Sequence, residues 1–435
     1  MSRTLFFLAG EASGDLHGGK LVAALKALDP SVRCVGMGGP QMAAAGLEVF
    51  KDLDGMQVVG FWEVAKRYGF FKQVFYQLLD RVKQEKPDAL ICIDYPGFNL
   101  RFAKEVKKLG IPCLYYIVPQ VWAWKPKRAA KMAEFIDRAY CVFEFEPPFF
   151  DKFKSPQRAM KTEFVGHPIL DCRFKISDFG LADLDGLKLV SFLPGSRLAE
   201  YVQHFYPLLG AYKSVSAKLS IGGCFFSIPN GISEISPELV SINAMGYEAH
   251  LGGYYGITKG EYEYEMSVRK TPKPHFVIGD KGCIAGGPEE FLSKRMDKLK
   301  VLADTHIAHS SLLPALSDFS VVKSGTSTLE AGLQGNPMCV VYRGGWVSYS
   351  IARMLVDIPV FSLVNIVLGK YAVPELLQSE VNPQRIAAEI ERGLTDQKYI
   401  EQQRAALAEL PKKLGGPGAS KRAAERMLAF LDGRD

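Results

Sequence analysis

The sequence lacks the features that mark several large classes of protein. No uninterrupted apolar run reaches the roughly 18 residues that a membrane-spanning helix needs. The 435-residue chain starts with one arginine and a short apolar stretch, without the small-residue cleavage site of a signal peptide. Its net charge of +6 is modest and dispersed, which disfavours a nucleic-acid partner but suits an anionic lipid surface. We therefore expect a cytoplasmic protein that rests on a membrane.

Metal-binding patterns are also missing. The 8 cysteines form no C-x-x-C pair, and the 7 histidines show no H-x-x-x-H or H-E-x-x-H spacing. The two D-x-D patterns, at residues 52–54 and 183–185, lie in loops away from strand ends, and we interpret them as solvated turns. We expect reduced thiols in a cytosolic core, no metal and no cofactor.

What the sequence does contain is a repeated alternation of apolar strands and helical segments. Clear strand candidates are Thr4–Ala9, Lys188–Leu193 and Phe319–Lys323. Such alternation predicts an α/β fold with parallel sheets. Near residues 166–185 a polar, Gly- and Asp-containing stretch interrupts this alternation. The interruption favours two Rossmann-like lobes that face each other across a cleft and are followed by C-terminal helices. In such sheets ligands bind at the carboxyl ends of the strands.

The loop after the first strand has the sequence GEASGD. Its glycines let the backbone approach a ligand, and the helix that follows favours an anion at its start. An ordinary strand-to-helix turn is the alternative. The candidate residues of this loop are Gly10, Glu11, Ser13, Gly14 and Asp15.

The segment IDYPGFN places Asp94 at the end of a strongly apolar strand. A carboxylate there is partly desolvated, which raises its pKa and suits it to act as a general base towards a sugar hydroxyl. The alternative is that Asp94 only caps the turn together with Asn99.

Two loops of the second half favour a nucleotide diphosphate. LPGSR and SGTSTLE each follow a strand, and they offer backbone N–H groups, hydroxyls and an arginine that can hold a phosphate. Each could also be a plain turn. The candidates are Gly195, Ser196, Arg197, Ser324, Gly325, Thr326 and Glu330.

An apolar helical face between residues 70 and 78 is flanked by basic residues. Aromatics with a basic rim suit an acyl-chain or membrane-interface surface. Without knowledge of the substrate, a core-facing helix is the stronger reading. The face consists of Phe70, Phe71, Val74, Phe75 and Leu78.

Taken together, these motifs resemble the lipid-A-disaccharide synthase family of glycosyltransferases. The resemblance covers about residues 4–230 and 315–430. The matching signatures lie at residues 9–15, 38–42, 58–64, 93–99, 115–128, 164–171, 193–197, 324–331, 336–343, 363–366 and 373–378.

The resemblance implies a GT-B fold. Residues 1–175 would form the acceptor and membrane-side lobe, and residues 186–382 the UDP-sugar lobe. The helices of residues 383–435 would pack back on the first lobe. The chain would lie on the cytoplasmic face of the inner membrane, where a homodimer is also compatible with the sequence.

The implied reaction joins UDP-2,3-diacylglucosamine to 2,3-diacylglucosamine 1-phosphate, with inversion and without a metal. It yields the lipid A disaccharide 1-phosphate and UDP. By resemblance, Asp94 is the base for the 6-hydroxyl of the acceptor. Arg197, Ser324, Thr326 and Glu330 match donor-side positions, and Asn365, Glu375 and Gln378 lie in signatures near them.

Residues 234–310 depart from the family pattern. We predict an inserted, β-containing excursion, in which residues 261–269 alternate like an exposed strand. It could form a partner-binding edge or a lid. Two other functions stay open at this point. One is a different UDP-sugar GT-B transferase with a lipid-linked acceptor, and the other is a non-catalytic paralogue that binds UDP or lipid.

Overall fold

The computed structural model describes most of the chain, in two compact units. The described residues are 3–56, 67–124, 127–153, 160–172, 188–195, 198–216, 218–219, 221–227, 275–279, 283–287, 313–315, 317–344 and 360–433. The first unit contains Met1–Arg173 and Pro411–Asp435, and the second contains most of what lies between.

The first unit is built on a seven-stranded sheet whose order is β3-β2-β1-β4-β5-β6-β7. All of its pairs are parallel. The chain runs outward from β1 to β3 and then returns to β4 on the other side of β1, so the strand order reverses between β1 and β4. The strands are Thr4–Ala9 (β1), Arg33–Met37 (β2), Leu47–Lys51 (β3), Ala89–Ile93 (β4), Cys113–Tyr116 (β5), Arg138–Cys141 (β6) and Lys161–Phe164 (β7).

Helices cover both faces of this sheet. Because successive strand residues point to opposite faces, Phe6 and Leu8 enter one apolar cluster while Leu5 and Phe7 enter the other. Burial on both faces explains why the strands are almost wholly apolar. The helices are Ala12–Leu28 (α1), Pro40–Ala44 (α2), Tyr68–Glu85 (α3), Pro96–Lys107 (α4), Val121–Trp124 (α5), Lys127–Met132 (α6) and Glu146–Asp151 (α7).

The second unit has its own seven-stranded sheet, with the order β10-β11-β9-β8-β12-β13-β14. Here the order reverses between β8 and β12. The strands are Lys188–Leu193 (β8), Ile221–Ser227 (β9), His275–Gly279 (β10), Cys283–Gly287 (β11), Phe319–Lys323 (β12), Met338–Tyr342 (β13) and Glu375–Leu377 (β14).

Strands β10 and β11 belong to the predicted insertion. They pair with each other antiparallel, and β11 pairs antiparallel with β9, so this part of the insertion extends the edge of the second sheet. The prediction of β structure in residues 234–310 is therefore confirmed for these two strands. The strand predicted at residues 261–269 lies outside the described residues.

The C-terminal helices divide differently from the prediction. The second unit contains Leu198–Ser216 (α8), Thr326–Leu333 (α9), Leu363–Leu368 (α10), Pro383–Thr395 (α11) and Gln397–Leu407 (α12). Ile386, Ile390 and Leu394 of α11 pack into the core of the second sheet. That apolar stripe keeps residues 383–410 in the second unit, so only the chain from Pro411 returns to the first.

The returning segment contains Leu410–Lys413 (α13) and Ala419–Leu431 (α14). The carboxylate of Asp171 accepts hydrogen bonds from the N–H groups of Gly418 (2.6 Å), Ala419 (3.2 Å) and Ser420 (2.8 Å), which caps the start of α14. The guanidinium of Arg422 donates to the carbonyl of Val165 at 2.8 Å. The signature FVGHPILD therefore serves to dock the last helix.

Candidate active site

The first sheet brings two carboxylates to the point where its strand order reverses. Ala9 and Ile93 are register partners at the ends of β1 and β4, so Glu11 and Asp94 follow neighbouring strands. Gly10 is required there, because a Cβ at this position would lie 2.2 Å from a ring atom of Tyr95. This edge is where open α/β sheets bind ligands.

The backbone around Asp94 is held in an unusual conformation. Asp94 and Tyr95 have φ angles of 44° and 49°, and the β-branched Ile117 after the next strand has 61°. Non-glycine residues rarely adopt positive φ, and such strain persists where neighbouring contacts impose it. Strain thus concentrates at the ends of β4 and β5.

Buried hydrogen bonds impose this conformation. The side-chain amide of Asn99 donates to the carbonyls of Leu8 (3.2 Å), Ile93 (3.2 Å) and Asp94 (2.8 Å). The hydroxyl of Tyr115 donates to the carbonyl of Asp94 at 2.6 Å. Asn99 was predicted on the acceptor side; its amide nitrogen positions the loop, while its Oδ1 is buried without a hydrogen-bond partner among the described residues.

The electrostatics of Asp94 suit a base. Its side chain is half-buried. Burial, and secondly the nearby negative charge of Glu11, raise the pKa of Asp94 to about 6, against a smaller opposing effect of the Tyr95 N–H. The carboxyl is therefore mostly ionised at neutral pH yet more basic than an ordinary aspartate, which favours proton acceptance.

The other residues of the GEASGD loop differ in accessibility. Ser13 is exposed in the first turn of α1, whereas Gly14 is buried. Asp15 is also buried, and its carboxylate accepts from the N–H groups of Gly39 (2.8 Å), Gln41 (3.0 Å) and Met42 (2.9 Å). Asp15 was predicted as an acceptor-side residue, but it caps α2 and joins two loops.

The second sheet places both predicted diphosphate loops at its own reversal point, between β8 and β12. Gly195 follows β8 with a φ of 121°, while Ser196 and Arg197 lie outside the described residues. After β12, Gly325 and Thr326 start α9, whose first backbone N–H groups open to the carboxyl edge. Ser324 is half-buried before them, and Glu330 lies one turn further along α9.

Two residues predicted near the donor are engaged inside the protein. The carboxylate of Glu375 accepts from the N–H of Phe361 (2.8 Å), the N–H (2.8 Å) and hydroxyl (2.6 Å) of Ser362, and the amide of Asn365 (2.8 Å). Asn365 in turn accepts from the N–H groups of Ala372 and Val373. Both side chains are buried, and their hydrogen bonds hold the start of α10.

Gln378 differs from them. Its φ is 52°, and its side-chain oxygen accepts from the N–H of Gly344 at 3.2 Å. Its Nε2 is buried without a hydrogen-bond partner among the described residues. Gln378 therefore keeps a donor that a ligand could satisfy.

The sequence did not reveal an ion pair at this edge. Lys323, the last residue of β12, donates to Glu200 of α8 at 2.7 Å. The buried ring of His204 joins the carbonyl of Glu200 (2.6 Å) to the N–H of Arg343 (2.8 Å), which ties α8 to the end of β13. The available signal was the lysine that ends FSVVK, a strand that is apolar apart from Ser320.

The structure of helix α3 bears on the predicted acyl-chain or membrane-interface face of residues 70–78. Val74 and Leu78 are buried in the core of the first unit, and Phe70, Phe71 and Phe75 pack against it. The core-facing alternative therefore holds for Val74 and Leu78, whereas the three phenylalanines are only partly buried. The exposed aromatics of α3 are Tyr68 (61 % exposed) and Tyr76 (53 %).

Among the described residues, no group of three or more His, Cys, Asp or Glu side chains could hold a metal ion. Asp52 directly follows β3, so the prediction that residues 52–54 lie away from a strand end is wrong. Its carboxylate accepts from the ammonium of Lys51 and the N–H of Asp54. Residues 183–185 lie outside the described part of the chain. None of the described helices is both long and apolar enough to cross a membrane.

Comparison with known proteins decides the family. The sequence model of lipid-A-disaccharide synthetase matches residues 5–235 and 289–429. The chain belongs to this family. A lipid-A-disaccharide synthase of Anaeromyxobacter dehalogenans is 34% identical over 433 residues, covering 98% of this chain and 97% of that protein. The gap between residues 235 and 289 falls within the predicted insertion.

Solved structures support the fold of this family member. The S. aureus MnaA–UDP co-structure aligns with a TM-score of 0.60 and 10% identity, covering 99% of this chain and 97% of that one. The glycotransferase of kitacinnamycin aligns with a TM-score of 0.54 and 14% identity, covering 99% and 100%. The prediction of a GT-B fold with two parallel-sheet lobes is confirmed.

Proposed function

We propose that this protein transfers the sugar of UDP-2,3-diacylglucosamine to the 6-hydroxyl of 2,3-diacylglucosamine 1-phosphate. The products are the lipid A disaccharide 1-phosphate, an intermediate of lipopolysaccharide biosynthesis, and UDP. Membership of the family supports the assignment of this reaction. The single structural observation that carries the mechanism is the half-buried, strained Asp94 at the reversal point of the first sheet.

In this mechanism the Asp94 carboxylate accepts the proton of the acceptor hydroxyl. The hydroxyl oxygen attacks the anomeric carbon of the donor, and the bond from that carbon to the diphosphate breaks. One displacement inverts the anomeric centre, and it needs one base. Tyr115 and Asn99 support this step because they fix the carbonyl of Asp94 and hence its side-chain direction.

UDP leaves with additional negative charge, and we propose that fixed donors stabilise it without a metal. The first N–H groups of α9 and the Nε2 of Gln378 supply such donors in the described part of the second unit. The Ser324 hydroxyl makes a long 3.5 Å contact with the Phe361 carbonyl, and we propose that it turns to the diphosphate. Arg197 is proposed to add a guanidinium. Donors of this kind, fixed before reaction, typically contribute ~2.7–4 kcal/mol each to the transition state.

We also propose that the protein works at the cytoplasmic surface of the inner membrane, since both substrates carry acyl chains. Tyr68, Lys72 and Tyr76 follow each other at intervals of four on the exposed side of α3. Aromatic rings with polar tips beside a cation suit a lipid headgroup region. Free, buried thiols support a reducing compartment; they are Cys34, Cys92, Cys113, Cys141 and Cys339.

The test is turnover of both acylated sugars by the purified full chain in detergent micelles. We expect Asp94→Asn to lower kcat by roughly 100- to 10,000-fold, the usual contribution of a general base. Affinity for UDP should be unchanged, and Asp80→Asn on the exposed side of α3 should behave as wild type. Full turnover by Asp94→Asn would remove Asp94 as the base, and a wild-type chain that binds UDP without turnover would make it a non-catalytic paralogue.

A further inference from the structure

The ion pair between Lys323 and Glu200 spans the reversal point of the second sheet. Lys323 ends β12, and Glu200 lies in the first turn of α8, the helix that follows β8. These two strands are neighbours, with Leu193 and Val322 as register partners. A cation and a carboxylate therefore meet between the two loops predicted to hold the diphosphate.

The pair is well enclosed. The Nζ of Lys323 lies 2.7 Å from an Oε of Glu200, and the two side chains are 16% and 20% exposed. The same Nζ lies 5.7 Å from the ring centre of Tyr342. A Cβ at Gly195 would come within 2.7 Å of the other Oε of Glu200, so this carboxylate lies directly against the LPGSR loop.

A carboxylate alone at this place would repel a diphosphate. Lys323 neutralises it, and an ammonium has three N–H donors, of which the Glu200 contact uses one. Partial burial reduces the screening of its charge by water. A lysine held by a carboxylate at the carboxyl edge of a sheet is therefore directed at the place where the negative leaving group would develop.

We propose that Lys323 binds the diphosphate of the nucleotide directly, and that Glu200 is a positioning residue that holds its ammonium between the two loops. The proposal rests on the proposed function for the identity of the nucleotide. It adds a cation that no sequence motif assigned, and it gives the leaving UDP a positive partner from the protein.

The test compares UDP with uridine, which lacks the phosphates, by calorimetric titration of the full chain. In Lys323→Met the Kd of UDP should rise by roughly 10- to 100-fold, the size expected for a lost hydrogen bond to a charged group. The Kd of uridine should stay unchanged, and Lys323→Arg should recover most of the UDP affinity. Lys188→Met is the matched control, because Lys188 faces Asp318 at the opposite end of β8.

A double variant separates direct contact from simple neutralisation. If Lys323 contacts the phosphates, Lys323→Met combined with Glu200→Gln still binds UDP weakly. If Lys323 only cancels the charge of Glu200, this double variant regains wild-type affinity, and the proposal fails. An equal loss of affinity for UDP and for uridine in Lys323→Met would likewise overturn the proposal, since that result indicates a damaged loop.

Turnover of the acylated sugars by the wild type, measured in parallel, keeps the two proposals distinguishable. If the wild type turns over the substrates and Lys323→Met binds UDP with unchanged affinity, only the proposed role of Lys323 is refuted. If the wild type shows no turnover but its UDP binding depends on Lys323, only the proposed reaction is refuted.

Discussion

The hydroxyl of Tyr115 donates a 2.6 Å hydrogen bond to the main-chain carbonyl of Asp94. The bond joins the ends of β4 and β5 at a residue whose φ is 44°. It holds the proposed base through its main-chain carbonyl and does not occupy its carboxylate.

Replacement of Tyr115 by Phe should therefore reduce kcat by roughly 5- to 10-fold, which corresponds to the loss of about 1 kcal/mol for one hydrogen bond. Steady-state kinetics with both substrates would measure it, alongside UDP affinity, which should not change. Tyr206→Phe, at an exposed position of α8, is the control. Unaltered kcat in Tyr115→Phe would show that Asn99 alone fixes the Asp94 carbonyl.

The raised pKa of Asp94 predicts the pH dependence of the reaction. The base must be ionised, so kcat/KM should fall as the pH drops through about 6. Glu11 disfavours the ionised form of Asp94, so Glu11→Gln should lower that pKa and move the acidic limb to lower pH. Because burial is the larger cause, part of the shift should persist.

The substrate phosphate also titrates near pH 6. Wild type and Glu11→Gln share that ionisation, so only the difference between their profiles reports on Asp94. Glu48→Gln, at an exposed position of the edge strand β3, should leave the pH profile of kcat/KM unchanged. A limb that moves to higher pH in Glu11→Gln would contradict the like-charge explanation.

Asp171→Ala removes the cap of α14. Loss of such a cap typically costs about 1 kcal/mol, which lowers the Tm of a unit of this size by roughly 2–4 °C. Thermal unfolding and the rate of proteolysis at the C terminus would both report it. Glu425→Ala, on the exposed side of α14, is the matched variant and should unfold like wild type.

Tyr68→Ser combined with Tyr76→Ser should weaken sedimentation with anionic phospholipid vesicles, and high salt should weaken it further through Lys72. The melting temperature should change little, because both rings are exposed. Tyr371→Ser removes a ring of similar exposure from the second unit and serves as the control. Equal vesicle binding by all three proteins would remove α3 as the contact surface.

Activity should survive EDTA, because the proposed stabilisation of UDP comes from protein donors. Turnover measured after exhaustive chelation and dialysis tests this. Loss of activity that Mg²⁺ or Mn²⁺ restores would require a metal at the diphosphate.

The oligomeric state, where a homodimer stays a prediction, can be measured by light scattering on the same preparations.

The sequence predicts the sheets well because strands buried on both faces are nearly continuous apolar runs. Thr4–Ala9, Lys188–Leu193 and Phe319–Lys323 have the predicted bounds in the structure. Asp94 was also predictable, since a polar residue that ends such a run must lie at the carboxyl edge.

The partners of polar side chains were not predictable in the same way. Glu375 and Asn365 look like ligand-binding residues in the sequence, yet the fold surrounds them with N–H groups and carbonyls of the chain itself. The periodicity of Val74 and Leu78 likewise defines an apolar face without telling whether protein or lipid covers it. These outcomes depend on contacts between residues far apart in sequence.

The capping of α14 by Asp171 has a consequence for synthesis on the ribosome. The first unit needs Pro411–Asp435, which is synthesised after about 240 intervening residues. Leu21 and Leu25 of α1 share a buried apolar cluster with Ala423 and Met427 of α14. At ~5–20 residues per second, they stay uncovered on that side for roughly 12 to 48 s. A nascent chain that has not yet reached α14 therefore presents these apolar residues of α1 to chaperones and proteases.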